Sequence, residues 1–402
     1  MRILNSVAAL AALLVSTASV QAAPACVNSG SFEVWLAGFK KDALAAGVKP
    51  GTVSSTMDGM TADMSIISSD RKQGFFSQTF LDFSAKLATA NRVQSGIAKI
   101  KQQKAIFDKV EKEYGIPAPV ITAFWALESD FGSGMGKKPV LRSLATLAYD
   151  CRRGEMFRAE LISALKIIDR GDLRADEMIG SWAGELGQTQ FLPGHYLNYG
   201  VDYDGDGKRD LLRSNADIIA SSANFIRSLG WKAGEPWMQE VRVPANMAWD
   251  QADLAIKLPR SKWADMGVTL ADGKKLPADA MPSSLILLMG RNGPAFLVYP
   301  NFDIYLKWNQ SLNYGVTASY LATRIAGAPA MHRGSAQVAS LDGMQIVEMQ
   351  QLLARKGYKV GEADGKLGAG TRLAIKQAQL KLGMPADSYP TPDFLSALRS
   401  GR

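Results

Sequence analysis

The chain has 402 residues, a formal net charge of +8, 47% hydrophobic residues and 21% charged residues. That length argues for two or three domains, and the composition is that of a globular protein rather than a disordered one. The positive balance suits an acidic polymer or surface. No dense Lys/Arg run is interleaved with aromatics, so a nucleic-acid partner is excluded from the expectations.

Residues 1–22 read as a secretory signal. Arg2 supplies the positive start, Val7 to Val15 the short apolar core, and Val20-Gln21-Ala22 the small residues of a cleavage site. The apolar run is too short for a membrane span, and no later segment is long and apolar enough. The expectation is a mature exported protein of the periplasm beginning near Ala23. Cys26 lies just beyond, but Ala23-Pro24-Ala25-Cys26 lacks a Leu three residues before the Cys. A lipid anchor at Cys26 is therefore not expected. The other cysteine is Cys151. A Cys26–Cys151 disulfide is the favoured reading in an exported chain, with two free thiols as the alternative.

Residues 31–113 show mostly helical spacing, punctuated by Gly47 and Pro50, and helical patterns continue through 117–128, 155–170 and 214–229. The character changes from Met238 to Tyr299. Val241-Arg242-Val243 and Leu285-Ile286-Leu287-Leu288 read as short strands, and Asp272-Gly273 and Asn292-Gly293 as turns. This predicts a small β-containing insertion, with helix resuming near Phe302. Residues 327–340 are rich in Ala, Gly and Ser and read as a linker. A compact unit of 341–402 follows. The predicted divisions are signal 1–22, catalytic domain 23–326, linker 327–340 and C-terminal domain 341–402.

Glu128 closes the apolar run Val120–Leu127. At about 100° per residue it shares a helical face with Ile121, Phe124 and Trp125. Burial among such side chains disfavours the charged carboxylate and raises its pKa. A carboxylic acid that keeps its proton near neutral pH can protonate a glycosidic oxygen. The alternative is a surface Glu at a helix end.

Other chemistries lack parts. The histidines are His195 and His332 only, and no Cys/His cluster has zinc spacing. A Ser-His-Asp triad would depend on His195, in Leu192-Pro193-Gly194-His195-Tyr196, without a nucleophile elbow. A turn or helix-start role suits His195 better. By elimination the reaction falls on carboxylates.

The ordered set of motifs carries a resemblance. It comprises Ala126-Leu127-Glu128-Ser129-Asp130-Phe131-Gly132, then Ser181-Trp182-Ala183-Gly184-Glu185-Leu186-Gly187-Gln188-Thr189-Gln190-Phe191, then Asp202-Tyr203-Asp204-Gly205-Asp206-Gly207. Asn301-Phe302-Asp303-Ile304-Tyr305 and Trp308-Asn309-Gln310-Ser311-Leu312-Asn313-Tyr314 complete it. Over roughly 30–325 the chain resembles the membrane-bound lytic murein transglycosylase B family. The resemblance implies a mainly α (α+β) protein, with a lysozyme-like helical catalytic domain, a small β-containing insertion and a small three-helix C-terminal domain. It implies non-hydrolytic cleavage of the MurNAc–GlcNAc bond to a 1,6-anhydro product, with Glu128 as the single acid and base.

Ser181 and Gln190 match family positions lining the sugar cleft, although Ser181 could equally cap a helix before Trp182-Ala183. Arg152 and Arg153 match a paired-arginine position that could meet stem-peptide carboxylates. The alternative is that one of them holds a structural carboxylate such as Glu155. Asn309 and Tyr314 match cleft positions. Trp308 stands where the family often has Tyr, which keeps an aromatic platform and removes a hydroxyl. Trp125 and Trp182 read as core rather than as sugar stackers.

Asp202, Asp204 and Asp206 with Gly207 follow the opening of a calcium loop, which fails at its twelfth position, Arg213. Asp217 could supply the closing carboxylate to a structural Ca2+ or Na+. An Asp/Gly turn satisfied by its own backbone is the alternative. No cofactor is required.

Ile346 to Leu353, Gly357-Tyr358, Asp364-Gly365-Lys366-Leu367-Gly368 and Thr371 to Ile375 resemble the three-helix peptidoglycan-binding domain of cell-wall enzymes. Gln379, following Lys376-Gln377-Ala378, departs from the family's Phe-Gln and leaves a smaller apolar contact. The implied partners are peptidoglycan glycan strands, with cell-wall synthesis enzymes as further candidates, and a monomer is expected. Two rivals are carried forward. A hydrolase of the same fold would want a second carboxylate, Glu185 or Glu155. A wall-binding scaffold would have no catalysis at all.

Overall fold

The computed structural model describes residues 30–71 and 78–401. The predicted signal, its cleavage site and Cys26 lie outside the described residues. Cys151 is disulfide-bonded.

The N-terminal half is helical: α1 Phe32–Ala45, α2 Pro50–Met57, α3 Met64–Arg71, α4 Phe80–Leu87, α5 Ala90–Gln102, α6 Lys104–Tyr114 and α7 Ala118–Ser129. Local chemistry sets several boundaries. Ser31, Thr79 and Thr89 accept backbone N–H groups at the starts of α1, α4 and α5. Gly115, left-handed at φ 73°, stops α6. The next elements are β1 Lys138–Pro139, α8 Val140–Tyr149, α9 Gly154–Arg170, β2 Ile179–Gly180, α10 Pro193–Tyr199 and α11 Asn215–Ser228. The helices predicted at 117–128, 155–170 and 214–229 thus stand within a residue of their expected ends. His195 lies in the first turn of α10.

The predicted insertion is an antiparallel five-stranded sheet in the order β4-β6-β7-β3-β5. Its strands are β3 Met238–Arg242, β4 Leu258–Pro259, β5 Thr269–Leu270, β6 Pro282–Ile286 and β7 Ala295–Val298, with the short helix α12 at Arg260–Asp265. Its central strand β7, Ala295-Phe296-Leu297-Val298, is apolar at every position because both of its faces are buried. Leu285, Ala295 and Leu297 point into a satellite core with Trp249 and Trp263. Ile286, Phe296 and Val298 point the other way, into the main helical core. Helices α13 Phe302–Trp308 and α14 Leu312–Ile325 then return the chain to that core, where α14 packs on α7.

Residues 327–340 carry no helix or strand. They are nonetheless held to the body: the His332 N–H donates to Glu240 at 2.7 Å and the Ser335 N–H to the Asn292 carbonyl at 2.9 Å. The last unit comprises α15 Gly343–Arg355, α16 Ala369–Lys381 and α17 Pro392–Arg399 around its own core. It docks on the sheet domain through polar contacts. Arg372 donates to the Leu288 carbonyl at 2.9 Å, and burial lowers its pKa to about 10. The Arg291 N–H donates to Asp387 at 3.0 Å, and Lys376 pairs with Asp253. Gln379 serves this joint. Its buried amide donates to Asp387 at 3.1 Å and to the Tyr389 carbonyl at 3.0 Å, and accepts from the Ser388 N–H. The smaller apolar contact expected here belongs to Ala378, which is buried beside it.

Candidate active site

Glu128 is the penultimate residue of α7, a helix buried almost all round. The chain leaves α7 through two consecutive non-glycine residues in the left-handed region, Asp130 at φ 51° and Phe131 at φ 60°. Such residues cost about 1–3 kcal/mol each. Phe131 is held edge-on to Trp125 at 5.6 Å, Arg92 donates to Asp130 at 3.2 Å, and the Gly132 N–H donates to Ser129 Oγ at 2.8 Å. Gly132 is required as glycine, because a Cβ there would lie 2.6 Å from Gln188 Oε1.

Both described donors to the Glu128 carboxyl reach one oxygen. Oε1 accepts from Trp308 Nε1 at 2.9 Å and from the Tyr314 hydroxyl. Trp308 closes α13 and Tyr314 lies in the first turn of α14, so the turn between those helices brings both over the end of α7. Trp308 is wedged among aromatics: Phe124 stacks on it at 4.1 Å, with Phe225 at 5.4 Å and Phe191 at 5.7 Å. Trp308 therefore does more than keep an aromatic surface where a hydroxyl is missing; its indole N–H takes over hydrogen-bond donation.

Among the described residues no cation offsets the Glu128 charge. Burial pushes its pKa up to about 7; the Tyr314 and Trp308 bonds pull it down, and the charge of Glu185 adds to the rise. With two donors facing Oε1, the proton belongs on Oε2. Burial first, then Glu128, pushes the Tyr314 hydroxyl well above its ordinary pKa, so it stays a donor.

The remaining predicted residues divide. Ser181 closes a tight turn rather than a helix: its Oγ donates to Glu185 and accepts from the Ala183 N–H at 3.1 Å and the Glu185 N–H at 3.2 Å. Gln190, left-handed at φ 50°, donates to the Gly187 carbonyl at 2.8 Å and the Met135 carbonyl at 3.3 Å. Asn309 is exposed and caps the next turn by accepting the Ser311 N–H at 3.0 Å. Arg152 and Arg153 both bind the buried Asp70, not Glu155. Trp125 is fully buried and donates to Gln188 at 2.8 Å, as a core residue would; Trp182 is half-buried. His195 packs on Phe225 at 4.4 Å, its pKa lowered by burial, with no hydroxyl or carboxylate bonded to its ring among the described residues.

The acidic loop needs one correction. Carboxylate oxygens of Asp202, Asp204 and Asp217 lie within 4.8 Å of one another, but Asp206 is not in the group. Its carboxylate turns back to accept the Lys208 N–H at 2.8 Å, closing its own turn. Asp217 is fully buried and accepts from the Tyr203 and Asp210 N–H groups at 2.7 and 2.8 Å, and burial raises its pKa, with Asp204 adding to the rise. Three convergent hard oxygen donors fit an oxygen-seeking ion.

Sequence reasoning missed Gln188 and Asp70. Gln188 ties Trp125 to the Leu212 carbonyl, to which it donates at 2.7 Å. Its signal was its place between Glu185 and Gln190. Asp70 had no signal, since its partners lie more than eighty positions away.

Comparison with known proteins follows the same outline. The model of a family described as Transglycosylase SLT domain matches residues 31–323, and one described as Putative peptidoglycan binding domain matches 342–398. Membrane-bound lytic murein transglycosylase B of Escherichia coli is 29% identical over 248 residues, covering 61% of this chain and 67% of its own. The crystal structure of SltB3 from Pseudomonas aeruginosa in complex with NAG-anhNAM-pentapeptide superposes with a TM-score of 0.86 at 41% identity, over 92% of this chain and 100% of that one. Escherichia coli lytic transglycosylase Slt35 in complex with calcium is 26% identical with a TM-score of 0.62, over 72% of this chain and 92% of that one.

Proposed function

The chain belongs to the Transglycosylase SLT domain family, and from that premise we propose that it cuts the MurNAc–GlcNAc bond of peptidoglycan without water, with Glu128 as its only acid and base. Its homologues are lytic transglycosylases, enzymes that cleave peptidoglycan. The observation that carries the reading is the uncompensated, desolvated Glu128 carboxyl, with one oxygen fixed by two donors and the other left to hold a proton.

The steps balance as follows. Oε2 of Glu128 gives its proton to the glycosidic oxygen as the bond from the muramic carbon 1 breaks. The substrate's acetamido oxygen stabilises the cation at that carbon. The muramic 6-hydroxyl then attacks carbon 1 and returns its proton to Glu128, leaving a 1,6-anhydro ring and a reprotonated acid. Trp308 and Tyr314 hold Oε1 throughout and stabilise the transient carboxylate. Gln190 and Ser181 border the sugar beside the acid. The reaction consumes no cofactor. The Asp202, Asp204 and Asp217 oxygens would take a structural Ca2+ or Na+, in line with the calcium complex of the Escherichia coli relative. Export through the 1–22 signal would place the enzyme in the periplasm, and no described helix is long and apolar enough to cross a membrane.

Digestion of purified sacculi, read by mass spectrometry, tests the reading. Products of the wild type should be lighter by one water than those of a muramidase, and Glu128→Gln should release none. Hydrated products would replace the lytic mechanism with a hydrolytic one.

A further inference from the structure

We propose that a hollow among the C-terminal ends of α15, α16 and α17 binds the free C-terminal carboxylate of a short peptide, with a small apolar side chain on its floor. The proposal rests on the peptidoglycan reading only in taking the wall's stem peptides as the source of that peptide. The hollow has a volume of about 240 Å³ and is lined by Lys356, Tyr358, Ala378, Lys381, Leu382 and Leu398. That is smaller than the pockets that enclose drug-sized ligands, and it suits one or two residues of a chain end.

The floor is apolar and fixed. Ala378 and Leu398 belong to the buried core of the unit, and Leu382 packs against it. Ala378 leaves room where a larger side chain would fill the space. The rim is cationic. Lys356 caps α15 and Lys381 is the last residue of α16, and both are exposed. No described residue forms an ion pair or a side-chain hydrogen bond with Lys356, Lys381 or Tyr358. The other cations of α16 are spent: Arg372 and Lys376 hold the joint with the sheet domain. The hollow therefore joins two unpaired ammonium groups to an apolar floor on a surface that the joint does not use. A neutral sugar would leave both ammoniums without a counter-charge, whereas a carboxylate beside a methyl side chain satisfies rim and floor together.

Lysines at helix C-termini also offset the helix dipole, so binding and stability must be read separately. The probe is diacetyl-L-Lys-D-Ala-D-Ala, titrated into the full-length Glu128→Gln chain and followed by amide chemical shifts, alongside its C-terminal amide and chitobiose. The expected result is saturable binding of the acid with shifts at Tyr358, Ala378 and Leu382, and affinity weaker by about three- to tenfold for the amide. The double variant Lys356→Met, Lys381→Met should lose the same three- to tenfold when titrated well below its melting temperature, which falls slightly with the lost helix-end charges, and Ala378→Phe should block the site by filling it. Equal binding of acid and amide, preference for chitobiose, or wild-type affinity in the lysine variant overturns the proposal. None of these outcomes touches the sacculus digest, so a failure here leaves the catalytic reading standing.

Discussion

Glu128 and Asp70 are both carboxyl groups withdrawn from water, and their surroundings push them in opposite directions. Around Asp70, burial alone would raise the pKa, but the bonds and charges of Arg152 and Arg153 outweigh it and hold the group below the usual carboxylate range. Around Glu128 no cation of the described residues answers the burial, and the pKa climbs to about 7. The first site joins α3 to the segment after Cys151 and spends two arginines on rigidity. The second keeps a proton available at the mouth of a helix. The same functional group becomes a strut or an acid according to whether a guanidinium faces it.

Removing the acid breaks the comparison most sharply. Glu128→Gln should cut glycan cleavage by at least about a thousandfold, measured as soluble muropeptide released from sacculi. It should also stabilise the fold. A carboxyl whose folded pKa is raised costs nothing below its unfolded value near 4.5; the penalty grows from there up to about pH 7 and levels off above it. Above pH 8 the variant should gain up to about 3 kcal/mol in unfolding experiments, and at pH 4 almost nothing. Activity of the wild type should fall as pH rises through about 7, because the first step needs the protonated form.

Removing the strut should do the reverse. The carboxylate of Asp70 contributes stability above its unfolded pKa, and that contribution is lost as pH falls through its depressed folded value. Both guanidiniums are partly open to solvent, with 44% and 36% of the side chain exposed, so the loss is discounted for screening. Asp70→Asn should cost about 2 kcal/mol at pH 7, seen as an earlier urea midpoint, while kcat of the folded enzyme at its optimum stays unchanged. A fall in kcat without a fall in stability would move Arg152 and Arg153 into the substrate cleft.

The two sites also differ in how legible they were. Glu128 could be read from the sequence because part of its setting is local: the buried Ile121, Phe124 and Trp125 lie on its own helical face. The helices and the sheet insertion were legible for the same reason, through short-range periodicity and Gly or Pro punctuation. The Asp70 clamp was invisible because α3 meets Arg152 and Arg153 only through the tertiary fold. Glu155, the candidate offered instead, was an acid two residues from Arg153 in sequence. Asp206 misled in a related way. A one-dimensional Asp-x-Asp-x-Asp pattern cannot say which carboxylate turns inward and which closes its own turn; in the fold Asp202 and Asp204 converge with the buried Asp217. The role of Trp308 was half legible: the aromatic was noted, but the donor bond depends on how α13 is aimed.

Tyr314→Phe sharpens the acid side of the comparison. The Tyr314 hydroxyl favours the ionised form of Glu128, so its loss should raise the pKa further and shift the alkaline limb of the pH–rate profile upward by roughly 0.7 unit, the equivalent of about 1 kcal/mol. The rate at the optimum should fall about tenfold, because the carboxylate formed after proton transfer loses a donor. An unshifted limb would mean that Trp308 alone sets Oε1.

Glu185→Gln is the smallest expected change and the most discriminating. Glu185 acts on Glu128 through its charge and raises its pKa, so the neutral variant should move the alkaline limb toward acid by a few tenths of a unit. That sign is opposite to the Tyr314 variant. The Ser181 hydroxyl, which donates to Glu185, can still bond a glutamine, so the turn should survive. A lytic enzyme with one carboxylate keeps most of its rate and its anhydro product under this change. A hydrolase that used Glu185 to activate water would lose a hundredfold or more, on the order expected for a missing general base. The direction of the pH shift reports the electrostatics, and the size of the rate loss reports whether the second carboxylate does chemistry or only tunes the first.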